Sequence, residues 1–385
     1  MWRRIEIKNF RSIESAQITL GPFAVIVGPN GSGKSNFADA LVFARDTAVD
    51  AELAIDRRGG ISSVRRWGRT RPCDVSLDIR ASSTREGLDS DYVRHYFIIK
   101  SAQEGKWSFH KETVEEFTKN KKIFSLSRSG QSVSSSTIPV GNLPKIRDTA
   151  SAMLFSRQMM RFRKPYALQR ARRFRLNPDA MRQPQLSTEN WLLNESGSNI
   201  ATALRHTSEF RQTVSDIMRK VVPGLQYIST EQVGRYLIVK FTQLQSGGQL
   251  AEFSADEMSE GALRALGIIV AAYQMKRDEL LIIEEPEVSI HSGAAALLFD
   301  VLKFASRKGA VLITTHSADL LEAAKEEEIL VCDYRSGITH IGPLATQQKE
   351  VVKKGLFSLA ELVRSEPLRI EGDTPKTIDS TEELF

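Results

Sequence analysis

Short, unbroken apolar runs occur at Phe23-Ala24-Val25-Ile26-Val27, Leu280-Leu281-Ile282-Ile283 and Ala310-Val311-Leu312-Ile313. Such runs are the pattern of parallel strands buried on both faces. Elsewhere the pattern alternates: Ile5 and Ile7, then Ile18 and Leu20, bracket Asn9-Phe10-Arg11-Ser12, and Val75, Leu77 and Ile79 follow Gly59-Gly60. Alternation predicts strands with one face turned inward. Residues 92–100 and 106–114 read as a hairpin turning at Gln103-Glu104-Gly105, and a second pair flanks Ser129-Gly130, with Ser132 to Ser136 as an exposed connector. Helical spacing appears at Phe37, Ala40, Leu41 and Ala44, and again at Phe210, Val214, Ile217, Met218 and Val221 until Pro223-Gly224 stops it. Tyr236 to Phe241 is a strand. Beyond it, helices over 261–276, 293–306 and 318–325 alternate with strands over 280–284 and 310–315. Strands Ile329–Cys332 and Ile338–Ile341, joined at Ser336-Gly337, and a last helix finish the chain. Strand–helix alternation predicts an α/β fold built on a mostly parallel sheet.

The expected organisation is a core formed by residues 1–58 and 225–345, interrupted by a β-rich lobe (59–140) and a basic helical subdomain (141–224). Residues 346–385 supply a helix and a polar tail. No apolar run reaches eighteen residues, so no membrane-spanning segment is expected. Only Cys73 and Cys332 are present, which excludes a disulfide framework and a cysteine metal cluster. With no apolar leader after Met1, the expectation is a cytoplasmic protein. The net charge is +6, and it is unevenly placed. Eleven basic residues lie between Lys145 and Arg182 against only Asp148 and Asp179, and Arg57, Arg58, Arg65, Arg66, Arg69 and Arg71 form a second cluster. Such density suits phosphate backbones, but it also suits a solvated face or a dock for an acidic partner.

The chemistry centres on Gly28-Pro29-Asn30-Gly31-Ser32-Gly33-Lys34-Ser35, which fits G-x-x-x-x-G-K-[ST] between a strand and a helix. In that setting backbone N–H groups ring the α- and β-phosphates of a nucleoside triphosphate, and the helix N-terminus adds its positive end. Lys34 is expected on the β- and γ-phosphates and the Ser35 hydroxyl on Mg²⁺, with Asn30 to Asn36 lining the loop. The run Leu280 to Ile283 ends in Glu284-Glu285 and then Pro286, a Walker B pattern. By position Glu284 supports the metal and Glu285 polarises the attacking water. Strand 310–315 delivers His316 to a strand's carboxyl end, where open α/β sheets bind ligands, so His316 is read as a γ-phosphate sensor. Ser259-Glu260-Gly261 precedes a helix carrying Leu263, Leu266, Ile269 and Val270; Ser259 has the composition of a helix N-cap.

Gly28–Ser35, Met258–Ala262, Leu280–Glu287 and Thr315-His316-Ser317, in that order, resemble the ABC-type ATPase head. The match is closest to the cluster that includes recombination-protein-F-like and overcoming-lysogenisation-defect ATPases, on Asn9-Phe10-Arg11-Ser12, Glu284-Glu285-Pro286-Glu287, Leu193 to Ala201 and Pro223-Gly224. The resemblance covers residues 1 to about 345 and implies a P-loop NTPase of ABC type. It further implies that two heads sandwich two ATP molecules, with Ser259 and Gly261 acting on the partner's nucleotide in a homodimer. Departures are Glu284-Glu285 in place of Asp-Glu, and Met-Ser-Glu-Gly-Ala in place of Leu-Ser-Gly-Gly-Gln. The glutamine of the Q-loop is not placed by the resemblance; Gln158 is a candidate without a supporting motif. No long coiled coil separates Ser35 from Met258, and the 69 residues after His316 contain no acidic D-x-D pair. Any nuclease is therefore expected on another chain.

Three functions remain open on the sequence. One is an ATP-hydrolysing machine that controls a separate nuclease or toxin in prophage or phage defence. The second is a recombination-repair clamp on DNA without an effector. The third is a scaffold latched by ATP with little turnover, against which the complete phosphate loop, Glu285 and His316 argue.

Overall fold

The computed structural model describes residues 2–68, 72–82, 90–136, 145–153, 169–207 and 209–373. Among them, seventeen strands form two sheets. The large sheet has thirteen. In chain order they are β1 (Trp2–Phe10), β2 (Ile13–Thr19), β3 (Phe23–Val27), β4 (Val75–Ser82), β5 (Tyr92–Ser101), β6 (Trp107–Thr118), β7 (Lys121–Ser129), β8 (Ser132–Ser135) and β9 (Ala171–Phe174). The small sheet takes β10 (Gln185–Leu186), β11 (Leu225–Val233), β12 (Tyr236–Leu244) and β13 (Leu250–Ser254). The large sheet is completed by β14 (Leu280–Glu284), β15 (Ala310–Thr315), β16 (Ile329–Arg335) and β17 (Ile338–Pro343). Its spatial order is β8-β7-β6-β5-β4-β1-β2-β17-β16-β3-β15-β14-β9.

One half of this sheet is antiparallel, from β8 to β2; the other is parallel, from β16 through β3, β15 and β14 to β9. The unbroken apolar runs explain the parallel half, because alternate residues enter different cores. Ala24, Ile26, Leu280, Ile282, Ala310 and Leu312 pack with Phe37 and Leu41 of the helix Lys34–Thr47. Phe23, Val25, Leu281, Ile283, Val311 and Ile313 pack on the other face with Leu263 and Leu266 of the helix Glu260–Tyr273 and Leu298 of the helix Ser292–Ala305. Each fully buried Leu or Ile contributes about 1.5–3 kcal/mol, so helices on both faces hold β3, β14 and β15 rigidly side by side.

Three expectations need correction. The described residues of 141–224 do not form a helical unit: β9 belongs to the large sheet, paired in parallel with β14, and β10 belongs to the small one. Helices do occur there, at Pro178–Arg182, Ile200–Arg205 and Arg211–Met218. Local pattern missed β9 because Ala171-Arg172-Arg173-Phe174 buries only its ends, and its arginines are neutralised by acids distant in sequence. Ser132 to Ser135 pair with β7 as a sheet edge rather than running free. Among the described residues after β17 there are two helices, Thr346–Lys353 and Leu359–Ser365, in place of one. No helix among the described residues is long and apolar enough to cross a membrane.

Candidate nucleotide site

The carboxyl ends of β3, β15 and β14 lie side by side, and each ends in a predicted site segment: the Gly28–Ser35 loop, Thr315-His316 and Glu284-Glu285. The loop leaves Asn30 and Gly31 exposed at its crest. Lys34 is buried at the start of its helix, and its Nζ donates to the carbonyls of Gly28 (2.8 Å) and Pro29 (2.9 Å). Burial lowers its pKa from the ordinary lysine value, against the nearby Glu285 carboxylate. Gly33 adopts φ +105°, and a Cβ there would fall 2.0 Å from Thr339 Oγ1, so both the conformation and the space require glycine.

Behind the loop sits a brace of hydroxyls. Thr339 Oγ1 donates to the Ser32 carbonyl (2.9 Å) and lies 2.7 Å from Ser12 Oγ. Asn36 Nδ2 donates to Ser12 Oγ (2.6 Å), and Asn36 Oδ1 accepts from Arg11 (3.5 Å). Asn36 is therefore turned toward the β1–β2 turn, while the Ser32 hydroxyl is buried without a hydrogen-bond partner. Thr339 was missed from sequence: it lies more than 300 residues from the loop, and no local pattern marks it.

Ser35 Oγ donates to Glu284 Oε2 at 2.8 Å. The other oxygen, Oε1, is buried and accepts no hydrogen bond, while Arg173 Nε stands 3.7 Å from it and Arg175 Nε 3.6 Å from Oε2. Burial pushes the Glu284 carboxyl above its ordinary range, opposed by the Ser35 hydrogen bond and both arginines. A hydroxyl and a carboxylate with an unsatisfied buried oxygen form a hard, oxygen-donor pair of the kind Mg²⁺ takes. The residues fit the ion.

Glu285 has φ +47°, an uncommon conformation for this residue, and its N–H donates to Thr314 O (2.9 Å). His316 Nδ1 stands 3.7 Å from Glu285 Oε1 and 3.9 Å from Glu287 Oε1, beyond direct hydrogen bonding. Thr315 Oγ1 donates to Glu287 Oε1 (2.5 Å) and accepts from Ser317 N–H, which orients the His316 corner. A cavity of about 430 Å³ opens beside Ser35, Glu284 and Glu285 and is walled by Arg175, Asn177, Glu260 and Arg264. Ser259 caps its helix by accepting from Ala262 N–H (3.3 Å), and its side chain is otherwise exposed. Gly261 is buried against the loop after β14 of its own chain.

The basic segment divides. Arg157, Arg161, Arg163 and Lys164, like Gln158, lie outside the described residues. Arg172 pairs with Glu279, and Arg173 with Asp39 (3.1 Å) and Glu195 (2.6 Å). Arg170 donates to Arg277 O (3.0 Å), and Arg182 pairs with Asp179 (2.7 Å). Arg172 and Arg173 are thus committed to holding β9, whereas Lys145 and Arg147 are exposed.

The family described as "AAA domain, putative AbiEii toxin, Type IV TA system" matches residues 23–322. The chain is 30% identical over 149 residues to the chromosome partition protein Smc of Methanocaldococcus jannaschii, and 46% identical over 41 residues to the OLD nuclease of Thermus scotoductus. These matches take in 37% and 11% of the chain but only 13% and 8% of the relatives' lengths. Two solved structures share the fold. An Smc head bound to the C-terminal winged-helix domain of ScpA has a TM-score of 0.57 at 15% identity, covering 90% of this chain and 99% of that one. An Smc head with an extended coiled coil, bound to the C-terminal domain of ScpA derived from Pyrococcus furiosus, has a TM-score of 0.51 at 12% identity, covering 92% and 99%. The architecture is the P-loop NTPase fold of Smc-type ATPase heads.

Proposed function

We propose that this chain, which belongs to that AAA-domain family, binds and hydrolyses ATP, dimerises around the nucleotide and uses the cycle to control a separate effector. The observation that carries the reading is the meeting of Lys34, Ser35, Glu284, Glu285 and His316 at the ends of three adjacent strands, although they lie far apart in sequence. Lys34, poised over the loop by two carbonyls, is the cation for the β- and γ-phosphates. Ser35 and Glu284 would hold Mg²⁺, which supplies charge neutralisation on the phosphates when bound. Glu285 is the base that orients and deprotonates the attacking water, and His316 faces the same point from β15. Ser259, exposed at the tip of its helix, is offered to the nucleotide of a second copy.

An effector nuclease or toxin agrees with the toxin that the family's description names and with the OLD nuclease likeness, and a role in phage defence is part of the same proposal. On this reading the chain cuts nothing itself, since Glu284, Glu285 and Glu287 serve the nucleotide. Phosphate release tests the chemistry. Lys34→Ala should abolish tight ATP binding, and Glu285→Gln should keep binding while slowing turnover by at least ~100-fold. Wild-type turnover in Glu285→Gln would remove Glu285 from its role.

A further inference from the structure

Arg175 stands just past the end of β9, and its guanidinium is only loosely held. Its side chain is 61% exposed, and its contact with Glu284 is long, 3.6 Å from Nε to Oε2. Arg173, two residues earlier on the same side of the strand, is different: it is 14% exposed and tied to Glu195 and Asp39. Arg175 also borders two cavities at once. One holds Ser35, Glu284 and Glu285; the other, of about 540 Å³, is rimmed by Arg11, Asp39, Arg57 and Arg58. An exposed cation thus stands at the boundary of the two cavities, lining both.

We propose that Arg175 is a phosphate-contacting residue of the nucleotide site, donating to the γ-phosphate from within the same chain. The inference rests on the ATPase reading and deepens it. Ser35 and Glu284 mark where the β- and γ-phosphates sit, and Glu285 marks the far side of the γ-phosphate, so a cation lining the same cavity faces the oxygens whose charge grows during transfer. The planar guanidinium fork matches a phosphoryl group with two parallel hydrogen bonds, which the long contact to Glu284 does not provide. Arg175 is then a placeholder beside Glu284 before the nucleotide arrives and a ligand of the nucleotide afterwards. This takes Arg175 out of the DNA-facing segment to which its sequence neighbours assign it.

The test compares ATP with ADP in the full chain. Calorimetry with each nucleotide and Mg²⁺ on Arg175→Ala and Arg175→Gln should show ATP affinity falling ~10- to 100-fold, with ADP affinity changed less than about threefold. Hydrolysis should fall about 100-fold, as on removing one preorganised donor, and guanidinium added to Arg175→Ala should restore part of it. Arg175→Lys should recover less than guanidinium does, since a point charge lacks the fork. An ATP-to-ADP affinity ratio unchanged from wild type, or equal losses for both nucleotides, overturns the proposal. So does weakened binding of duplex DNA with that ratio intact. A wild-type chain that binds neither nucleotide overturns the ATPase reading itself; a wild type that binds both, with Glu285→Gln inactive and Arg175→Ala unimpaired, overturns only the role of Arg175.

Discussion

Asp39 is the residue on which the geometry behind the site turns, and Asp39→Asn is the sharpest perturbation of it. The carboxylate is 4% exposed and sits on the helix that follows the phosphate loop. Oδ1 accepts from Arg58 Nη2 (3.0 Å) and Arg173 Nη1 (3.1 Å). Oδ2 accepts from Arg58 Nε and faces Arg11 Nη2, both at 3.0 Å. One carboxylate therefore ties together the β1–β2 turn, the phosphate-loop helix, the segment after it and β9. Asparagine keeps the volume but leaves three guanidiniums, 7–22% exposed, around a neutral group. Removing one partner of a buried ion pair costs about 3–5 kcal/mol. For a chain of 385 residues each kcal/mol shifts the midpoint by roughly 1.2 °C, so the melting temperature should fall by ~4–6 °C. Neutralising the exposed Lys106–Glu104 pair, 76% and 77% exposed, should leave it nearly unchanged. The pH dependence supplies a second readout. Burial alone would raise the Asp39 pKa, but the Arg58 hydrogen bonds and the other guanidiniums bring it below the ordinary value of 3.8. A depressed carboxyl stabilises the fold above its unfolded-state pKa, and that stability is lost as pH falls through the folded value. Wild type should therefore lose stability below about pH 4 in a way that Asp39→Asn does not. A melting temperature within ~2 °C of wild type, with the acid limb unchanged, would refute the reasoning.

Glu112 offers a parallel case in the antiparallel half. It is fully buried, yet hydrogen bonds from His95 (2.9 Å), Ser151 (2.5 Å) and Ala152 N–H (2.7 Å) hold its pKa below the ordinary 4.5, so Glu112→Gln should flatten the acid limb of a melting-temperature profile below about pH 4.5. Gly261→Ala would put a Cβ 2.2 Å from Ser289 O; the overpacking should cost about 1–3 kcal/mol in the isolated chain, read by thermal melting without ATP, and no change would show that the backbone yields freely. Ser259→Arg in a Glu285→Gln background should bind ATP as a monomer, whereas Glu285→Gln alone should dimerise with ATP in light scattering; an ATP-bound monomer of the latter would exclude the nucleotide sandwich. If the exposed Lys145 and Arg147 meet DNA, reversing both to Glu should weaken binding across sequences and lower the log–log salt slope by about two, as fluorescence anisotropy would show.

Much of the fold was legible because its signals are local. The runs Phe23–Val27, Leu280–Ile283 and Ala310–Ile313 are apolar throughout because both faces are covered, and unbroken runs of that length have few other uses. Gly28 to Ser35 could be read because the phosphate loop needs glycine where φ is positive and a lysine and a hydroxyl at its end, all within eight residues. Glu284, Glu285 and His316 could be singled out because Glu284 ends a strand and the other two directly follow one, where the strand fixes their position. What sequence could not supply was partnership across the chain. Arg172 and Arg173 look like a DNA-facing basic run until Glu279, Asp39 and Glu195 arrive beside them from three other places. Thr339 becomes the brace of the phosphate loop only because β17 passes under Ser32. Arg175 differs from Arg173 only in where its strand ends and which acids reach it. Periodicity reports which side of an element is buried; the sign and number of charges that meet there depend on long-range packing, and only the tertiary structure decides them.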